Sequence, residues 1–365
     1  MTAEARPLTD IKPRNQLRIL AWPSPRRDLS NPYIALLYGG MDRTHADISD
    51  YSVKVALAEK FDVLHLHWPD WTIVQRAWWR AYPRLIGFML AVTVLRVRRT
   101  AVVWTVHNLR PHQSRSRLRE WLLYRFLSRT VDRQIHLSHA THGEMVATGH
   151  PCAQTPFTVV PHGYLADPSS FPTRTDARTE LGVGADQQLI VFVGGIDRYK
   201  GVDALITAFT SLVNPLARLI VAGRPYDDTV ANELRGLAAD DSRVQLDLRF
   251  LPDEGLKCLI AASDLTVLPY TSGLNSGTAF LALAGGSPLL VPATATFLAL
   301  RDEVGECWVT FFQRELRPRD IELALMTAEA RSGNPSVATW ERIAAETVTL
   351  LASSAALRQH RRTLE

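Results

Sequence analysis

A chain of 365 residues, 46% hydrophobic and 21% charged, is long enough for two domains with separate cores and reads as neither a disordered nor a fibrous protein. Three scattered cysteines, Cys152, Cys258 and Cys307, show no CxxC and no Cys/His ligand spacing, which argues against a disulfide framework or a zinc motif and fits a reducing cytoplasm. The net charge of +4 is unevenly placed: residues 72–133 hold thirteen arginines against two acids, Glu120 and Asp132, an excess of +11 that leaves the remainder at −7.

The polar N-terminus carries no apolar signal core, so a secreted protein is not expected. The first strand is LRILAW at 17–22, followed by a Pro- and Arg-rich loop and by Asn31-Pro32, suited to be the cap and first residue of a helix. Further strands are expected at 63–67, 101–106, 134–138 and 157–160. Five strands with helices between them make one doubly wound parallel α/β domain. Residues 72–100, TIVQRAWWRAYPRLIGFMLAVTVLRVRRT, mix arginines with Trp78, Trp79, Tyr82 and Phe88. The uncharged run extends only over 85–95, well short of the roughly 20 residues needed to span a bilayer. Trp and Arg together suit a headgroup interface, and the alternative is an amphipathic helix packed on its own sheet, kinked or divided at Pro83.

Pro161-His162-Gly163 closes the last of these strands, and DPSSFPTRT at 167–175 is a turn-rich linker. Strands then recur at 189–193, 218–222, 244–248, 265–268 and 288–291, with helices beginning near Val202, Asp228, Asp253 and Gly277. This is a second domain of the same architecture. Helical patterns return at 321–330 and 339–360, the last one long enough to pack back across a domain junction. The expected division is an N-terminal domain over 1–166, a C-terminal domain over 167–338 and a terminal helix over 339–365. Two such domains face each other across a cleft lined by the C-terminal ends of both sheets.

The loops after those strands are therefore the candidates for chemistry. LIVFVGGIDRYKGVDALITAF reads as strand, Gly194-Gly195 turn and helix, with Arg198 and Lys200 before Gly201; it is either a phosphate-binding loop or an ordinary turn with surface cations. TSGLNSGT then leads into another helix, where Asn275, Ser276, Gly277 and Thr278 either present a first turn to an anion or simply cap it. In the first domain His107 stands where a strand gives way to a loop, placed to bond a sugar hydroxyl or move a proton, or else satisfied by local backbone. Asp70 is the nearest candidate general base, its alternative being a helix cap before Trp71. Trp68, Arg76, Trp78, Trp79 and Arg80 are the candidate acceptor and membrane contacts.

Strand-GG-x-x-R-x-KG, then RLIVAGRP, then RVQLDLRFLPDEGLKCLIAASDLTVLPY and ALAGGSPLLVP resemble the donor domain of GT-B glycosyltransferases, closest to the large retaining family that uses nucleotide sugars. TWERIAAETVTLL is similar to the cross-over helix of that fold, and HLHWPDW and WTVHNLRPHQ are similar to transferases of bacterial exopolysaccharide or lipid-linked oligosaccharide synthesis. The resemblance implies that Lys200 meets the donor diphosphate and that His107 contacts the donor sugar. Two features depart from the pattern. Gly195 occupies the place of the family's arginine, whose role Arg198 would take over. Gly273 and Leu281 occupy the places of two glutamates eight residues apart, so that Asn275, Ser276 and Thr278 would offer neutral hydrogen bonds instead.

The protein so implied is a hexosyltransferase acting on a nucleotide diphosphate sugar and a lipid-linked or glycan acceptor, with no metal or other cofactor. It would be cytoplasmic, peripheral on the inner face of the plasma membrane through anionic lipid, and not a nucleic-acid binder. Retention or inversion stays open: inversion requires a base such as Asp70 or His107, whereas retention can use the leaving phosphate. Rival readings are a GT-B sugar-nucleotide enzyme with a small soluble acceptor and a noncatalytic sugar-nucleotide-binding subunit.

Overall fold

The computed structural model describes residues 16–23, 32–42, 45–75, 77–109, 116–271, 276–331, 333, 335 and 337–360. The first sheet comes from the alternation β1 (Leu17–Trp22), α1 (Tyr33–Gly39), β2 (Ala46–Asp50), α2 (Val53–Ala58), β3 (Val63–Leu66), α3 (Trp78–Val97), β4 (Ala101–Val106), α4 (Arg117–Thr130), β5 (Arg133–His136), α5 (Ala140–Ala147) and β6 (Phe157–Val159). The second follows as α6 (Arg174–Glu180), β7 (Gln188–Val193), α7 (Val202–Thr210), β8 (Ala217–Ala222), α8 (Asp228–Ala238), β9 (Val244–Asp247), α9 (Asp253–Ala262), β10 (Leu265–Val267), α10 (Gly277–Ala284), β11 (Leu289–Pro292), α11 (Ala295–Val304), β12 (Val309–Phe312) and α12 (Pro318–Glu329), before the terminal α13 (Trp340–His360).

Both sheets are parallel, in the orders β2-β1-β3-β4-β5-β6 and β12-β11-β10-β7-β8-β9. In the second, chain order reverses between β7 and β10, which is where an open α/β sheet leaves a crevice for a ligand. Central strands such as β4 and β7 are apolar on both faces because helices cover both, so a continuous apolar run is their sequence signature.

Each sheet holds six strands rather than the expected five. The additional strands, β2 (ADISD) and β12 (VTFF), lie at sheet edges. An edge strand need bury only part of its surface, and ADISD with its two aspartates carries no apolar run to reveal it. Pro83 does not divide α3, which runs unbroken through it for 20 residues. Asn31 lies outside the described residues, while Pro32 occupies the capping position of α1.

Helix α13 belongs to the core of the first domain. Its Ile343, Ala344, Leu350, Leu351 and Ala355 are buried with Ile19, Tyr33, Val63 and Val103, so the chain does return across the junction to seal the first sheet. No helix among the described residues is long and apolar enough to cross a membrane.

Candidate active site

At the end of β7 the backbone leaves the sheet through Gly194, at φ 120°, and makes a 3-10 turn over Arg198–Lys200 that ends on Gly201 at φ 64°. Gly201 is required twice over. Its φ is left-handed, and a Cβ there would stand 2.2 Å from the Pro269 carbonyl oxygen at the end of β10. That close approach brings the Lys200 loop against the β10 loop, and a Cβ on Gly194 would lie 3.4 Å from Thr278 Oγ1. The two anion-suited loops thus meet at the crevice between β7 and β10.

Lys200 is half-buried here, its Nζ 3.9 Å from the centroid of the Tyr270 ring and 5.2 Å from that of Tyr199. Burial opposes its charge, but the two phenols beside it more than offset this and its pKa is raised, so it is an ammonium at neutral pH. Ser276 is the cap of α10 rather than part of its first turn: its hydroxyl oxygen accepts from the Ala279 amide at 3.3 Å and its hydroxyl donates to Tyr270 Oη at 3.3 Å. The Gly277 and Thr278 amides follow it at the positive end of the helix.

Arg198 points elsewhere. Both its terminal nitrogens bond Glu233 of α8, at 3.1 and 3.0 Å, on an exposed surface. Arg224, just past β8, is exposed with no side-chain partner among the described residues, and its carbonyl accepts from the Ile196 amide at 3.0 Å. Leu281, in the place of one family glutamate, is half-buried against the α9 side of the core. Gly273, Asn275 and Arg76 lie outside the described residues.

In the first domain β3 and β4 deliver His65, His67, Thr105 and His107 to one buried cluster. Thr105 Oγ1 lies 2.9 Å from His65 Nε2, His65 Nδ1 lies 2.9 Å from the Tyr38 hydroxyl, that hydroxyl 3.1 Å from His67 Nε2, and His67 Nδ1 3.1 Å from His107 Nε2. Burial holds His65 down to about 3 and keeps His67 and His107 well below the ordinary histidine value, with neighbouring imidazoles adding to the effect. All three are neutral imidazoles at pH 7. The i, i+2 histidines of HLHW were the available signal for this cluster, since alternate strand residues share a face. Tyr38, which joins them, is one of several apolar residues on α1 and gave none.

His107 is 6% exposed and stacks on Trp68, centroids 4.3 Å apart, which in turn stacks on Trp71 at 5.5 Å. Trp68 is therefore interior, beside His107, whereas Trp78, Trp79 and Arg80 stand exposed on the first turn of α3. On the other side Tyr33 meets His107 edge-on at 4.7 Å and lies tilted against His162 at 5.0 Å, and His162 stacks on Phe280 of α10 at 4.2 Å. An aromatic bridge thus ties α10 to the histidine cluster. Asp70 sits half-buried in a 3-10 turn over Pro69–Thr72, and desolvation pushes its carboxyl up to about 6 against a local backbone hydrogen bond.

An interdomain cleft of about 810 Å³ is lined by Ser138 and Pro161 from the first domain and by Ser276, Phe280 and Thr296 from the second. Lys200 and His107 do not line it; Ser276 and Phe280 connect it to them.

The description "Glycosyl transferases group 1" fits residues 173–288. A GDP-mannose:glycolipid 4-beta-D-mannosyltransferase of Xanthomonas campestris pv. campestris is 30% identical over 287 residues, 78% of this chain and 76% of its own. Among solved structures, Anabaena HepE in complex with UDP-glucose superposes with a TM-score of 0.62 at 14% identity, over 96% of this chain and all of its own. Sucrose-phosphate synthase from Thermosynechococcus elongatus superposes with 0.53 at 19% identity, over 83% and 74%.

Proposed function

Because the chain belongs to the group 1 glycosyltransferases of GT-B fold, we propose that this enzyme transfers mannose from GDP-mannose to the sugar of a lipid-linked acceptor. The observation that carries the reading is the 30% identity, across both domains, to a transferase named for GDP-mannose and a glycolipid.

Glycosyl transfer asks a protein to neutralise the departing diphosphate and to align the acceptor hydroxyl with the anomeric carbon. Lys200, held charged between two phenols, and the first amides of α10 supply the first requirement at the β7/β10 crevice. Gly194 and Gly195 let the diphosphate approach backbone, and Thr278 adds a hydroxyl next to Gly194. In this reading charge neutralisation rests on these groups and needs no metal. His107, reached from α10 through Phe280, His162 and Tyr33, meets the donor sugar as a neutral hydrogen-bonding imidazole.

The relative forms a β-mannoside. From an α-linked nucleotide donor that outcome is inversion, in which the acceptor oxygen attacks opposite the diphosphate and a protein group must take its proton. Asp70, with a carboxyl near 6, is the group suited to do so: ionised at neutral pH, yet basic enough to accept. Trp78, Trp79 and Arg80, with the arginines of the same region, would hold the enzyme on an anionic bilayer where such an acceptor resides.

Product analysis tests the reading. Purified enzyme with GDP-mannose and a lipid-linked oligosaccharide should yield GDP and a β-mannosylated lipid; an α-mannoside would remove the inverting mechanism, and transfer only to soluble sugars would remove the lipid-linked acceptor.

A further inference from the structure

A second cavity, about 460 Å³, opens in the first domain past the ends of β1 and β2, between α3 and the turn over Pro69–Thr72. Its walls are aromatic. Trp22 stacks on Tyr51 at 5.1 Å and lies 4.8 Å from Phe88, and Trp71 and Pro83 complete the surface. The Thr72 hydroxyl in this lining is already committed to the Pro69 carbonyl at 2.7 Å, and two further polar groups break the surface. Arg84 is exposed at its edge with no side-chain partner among the described residues. The Tyr51 hydroxyl is buried with no hydrogen-bond partner among them, a situation that destabilises until something bonds it. Burial raises its pKa, so it remains a neutral phenol able to donate.

The position of this groove is as informative as its lining. Trp71 stacks on Trp68, and Trp68 on His107, so the groove lies two aromatic rings from the reaction centre. In the other direction it shares α3 with Trp78, Trp79, Ile86 and Leu90, each more than half exposed. It therefore joins the face assigned above to the bilayer with the site assigned to transfer.

We propose that this groove holds the apolar chain of the lipid-linked acceptor, with the phosphate that joins chain to sugar bonded by Arg84 and the Tyr51 hydroxyl. The inference rests on the glycolipid reading above. Burying the chain removes its apolar surface from water, and the phosphate pairs the open guanidinium and satisfies the stranded phenol at once. A neutral chain would leave both polar groups unmatched, and inorganic phosphate would leave the aromatic walls uncovered.

Gly87 gives the means of testing it. It lines the groove inside α3, and a Cβ there meets only Val53 Cγ2, at 3.9 Å. Glycine is also a poor residue inside a helix, so Gly87→Leu should fold at least as well while filling the groove. Full-length wild type and variants are titrated with farnesyl phosphate, farnesol and inorganic phosphate by tryptophan fluorescence, and with GDP-mannose by calorimetry. Farnesyl phosphate should bind the wild type better than either comparison compound. Gly87→Leu should weaken it about tenfold or more, and Arg84→Gln should weaken it without altering farnesol, both with donor affinity unchanged. No binding of farnesyl phosphate, or equal binding by wild type and Gly87→Leu, would overturn the assignment. Failure of the glycolipid reading is distinguishable: mannose would then reach only soluble glycans, while a Gly87→Leu effect on farnesyl phosphate would still locate the groove.

Discussion

His67 Nδ1 stands 3.1 Å from His107 Nε2, and this contact ties the strand-end histidine into a buried chain that runs through Tyr38 and His65 to Thr105. Every bond in that chain compensates for taking an imidazole or hydroxyl out of water. Tyr38→Phe keeps the ring but strands His65 Nδ1 and His67 Nε2, so a loss of about 1–3 kcal/mol in unfolding free energy is expected. Urea denaturation measures it; an unchanged midpoint would mean that the chain does not stabilise the domain.

The same cluster sets an acid limit. His65 is held down to about 3, His162 to about 4, and His67 and His107 well below the usual value, chiefly by burial. Below about pH 6.5 the unfolded chain takes up protons that these folded imidazoles refuse, so stability is full above that pH and falls as the pH drops towards 4. The slope is up to about 1.4 kcal/mol per pH unit for each histidine. Urea midpoints at about pH 7.5 and about pH 5 check the sign; greater stability at the lower pH would contradict it.

Lys200→Ala should reduce kcat/KM for the nucleotide sugar by roughly a hundredfold or more, because one preorganised cation at the leaving diphosphate is lost. Arg198→Ala should change it by about threefold or less, since that side chain is already committed to Glu233 at the surface. Steady-state kinetics on both variants decide the matter. An equal loss in Arg198→Ala would show that Arg198 leaves Glu233 to replace the arginine absent at Gly195.

Asp70→Asn bears on the proton. With a carboxyl near 6, the wild-type rate should fall as the pH drops through that value, because a protonated base cannot accept. The variant should lose most of its activity and the acid limb together. A variant with the full rate and the same limb would assign the base to another group.

Legibility from sequence followed burial. Strands covered on both faces, such as LIVFV in β7 and WTV in β4, declared themselves as apolar runs, and the glycines after β7 marked the turn that carries Lys200. Edge strand β2 did not, because its apolar content is too small to stand out from loops, and β12, apolar at three of its four residues, is too short for periodicity to tell it from a helical turn. Ser276 read equally well as a cap and as an anion contact, since both uses need the same hydroxyl at the same helix end, and only the structure shows it capping. The partner of Arg198 was invisible because Glu233 lies 35 residues away on another helix. Trp68 was grouped with Trp78 and Trp79 by composition alone; packing separates them, one stacked inside on His107 and the others exposed.

The exposed face of α3 carries its own test. Changing Trp78 and Trp79 to alanine together should weaken flotation with anionic liposomes, with the remaining binding lost at high salt, and leave the kinetics on detergent-dispersed acceptor within about twofold. Unchanged flotation would place the membrane contact elsewhere.

The central claim is the transfer itself. Full-length enzyme is incubated with GDP-[14C]mannose and a lipid-linked oligosaccharide, and label is counted in the organic phase. Label should appear there with release of GDP and should be abolished in Lys200→Ala. Tight binding of GDP-mannose with neither GDP release nor labelled lipid would contradict the claim and mark the protein as a binding subunit.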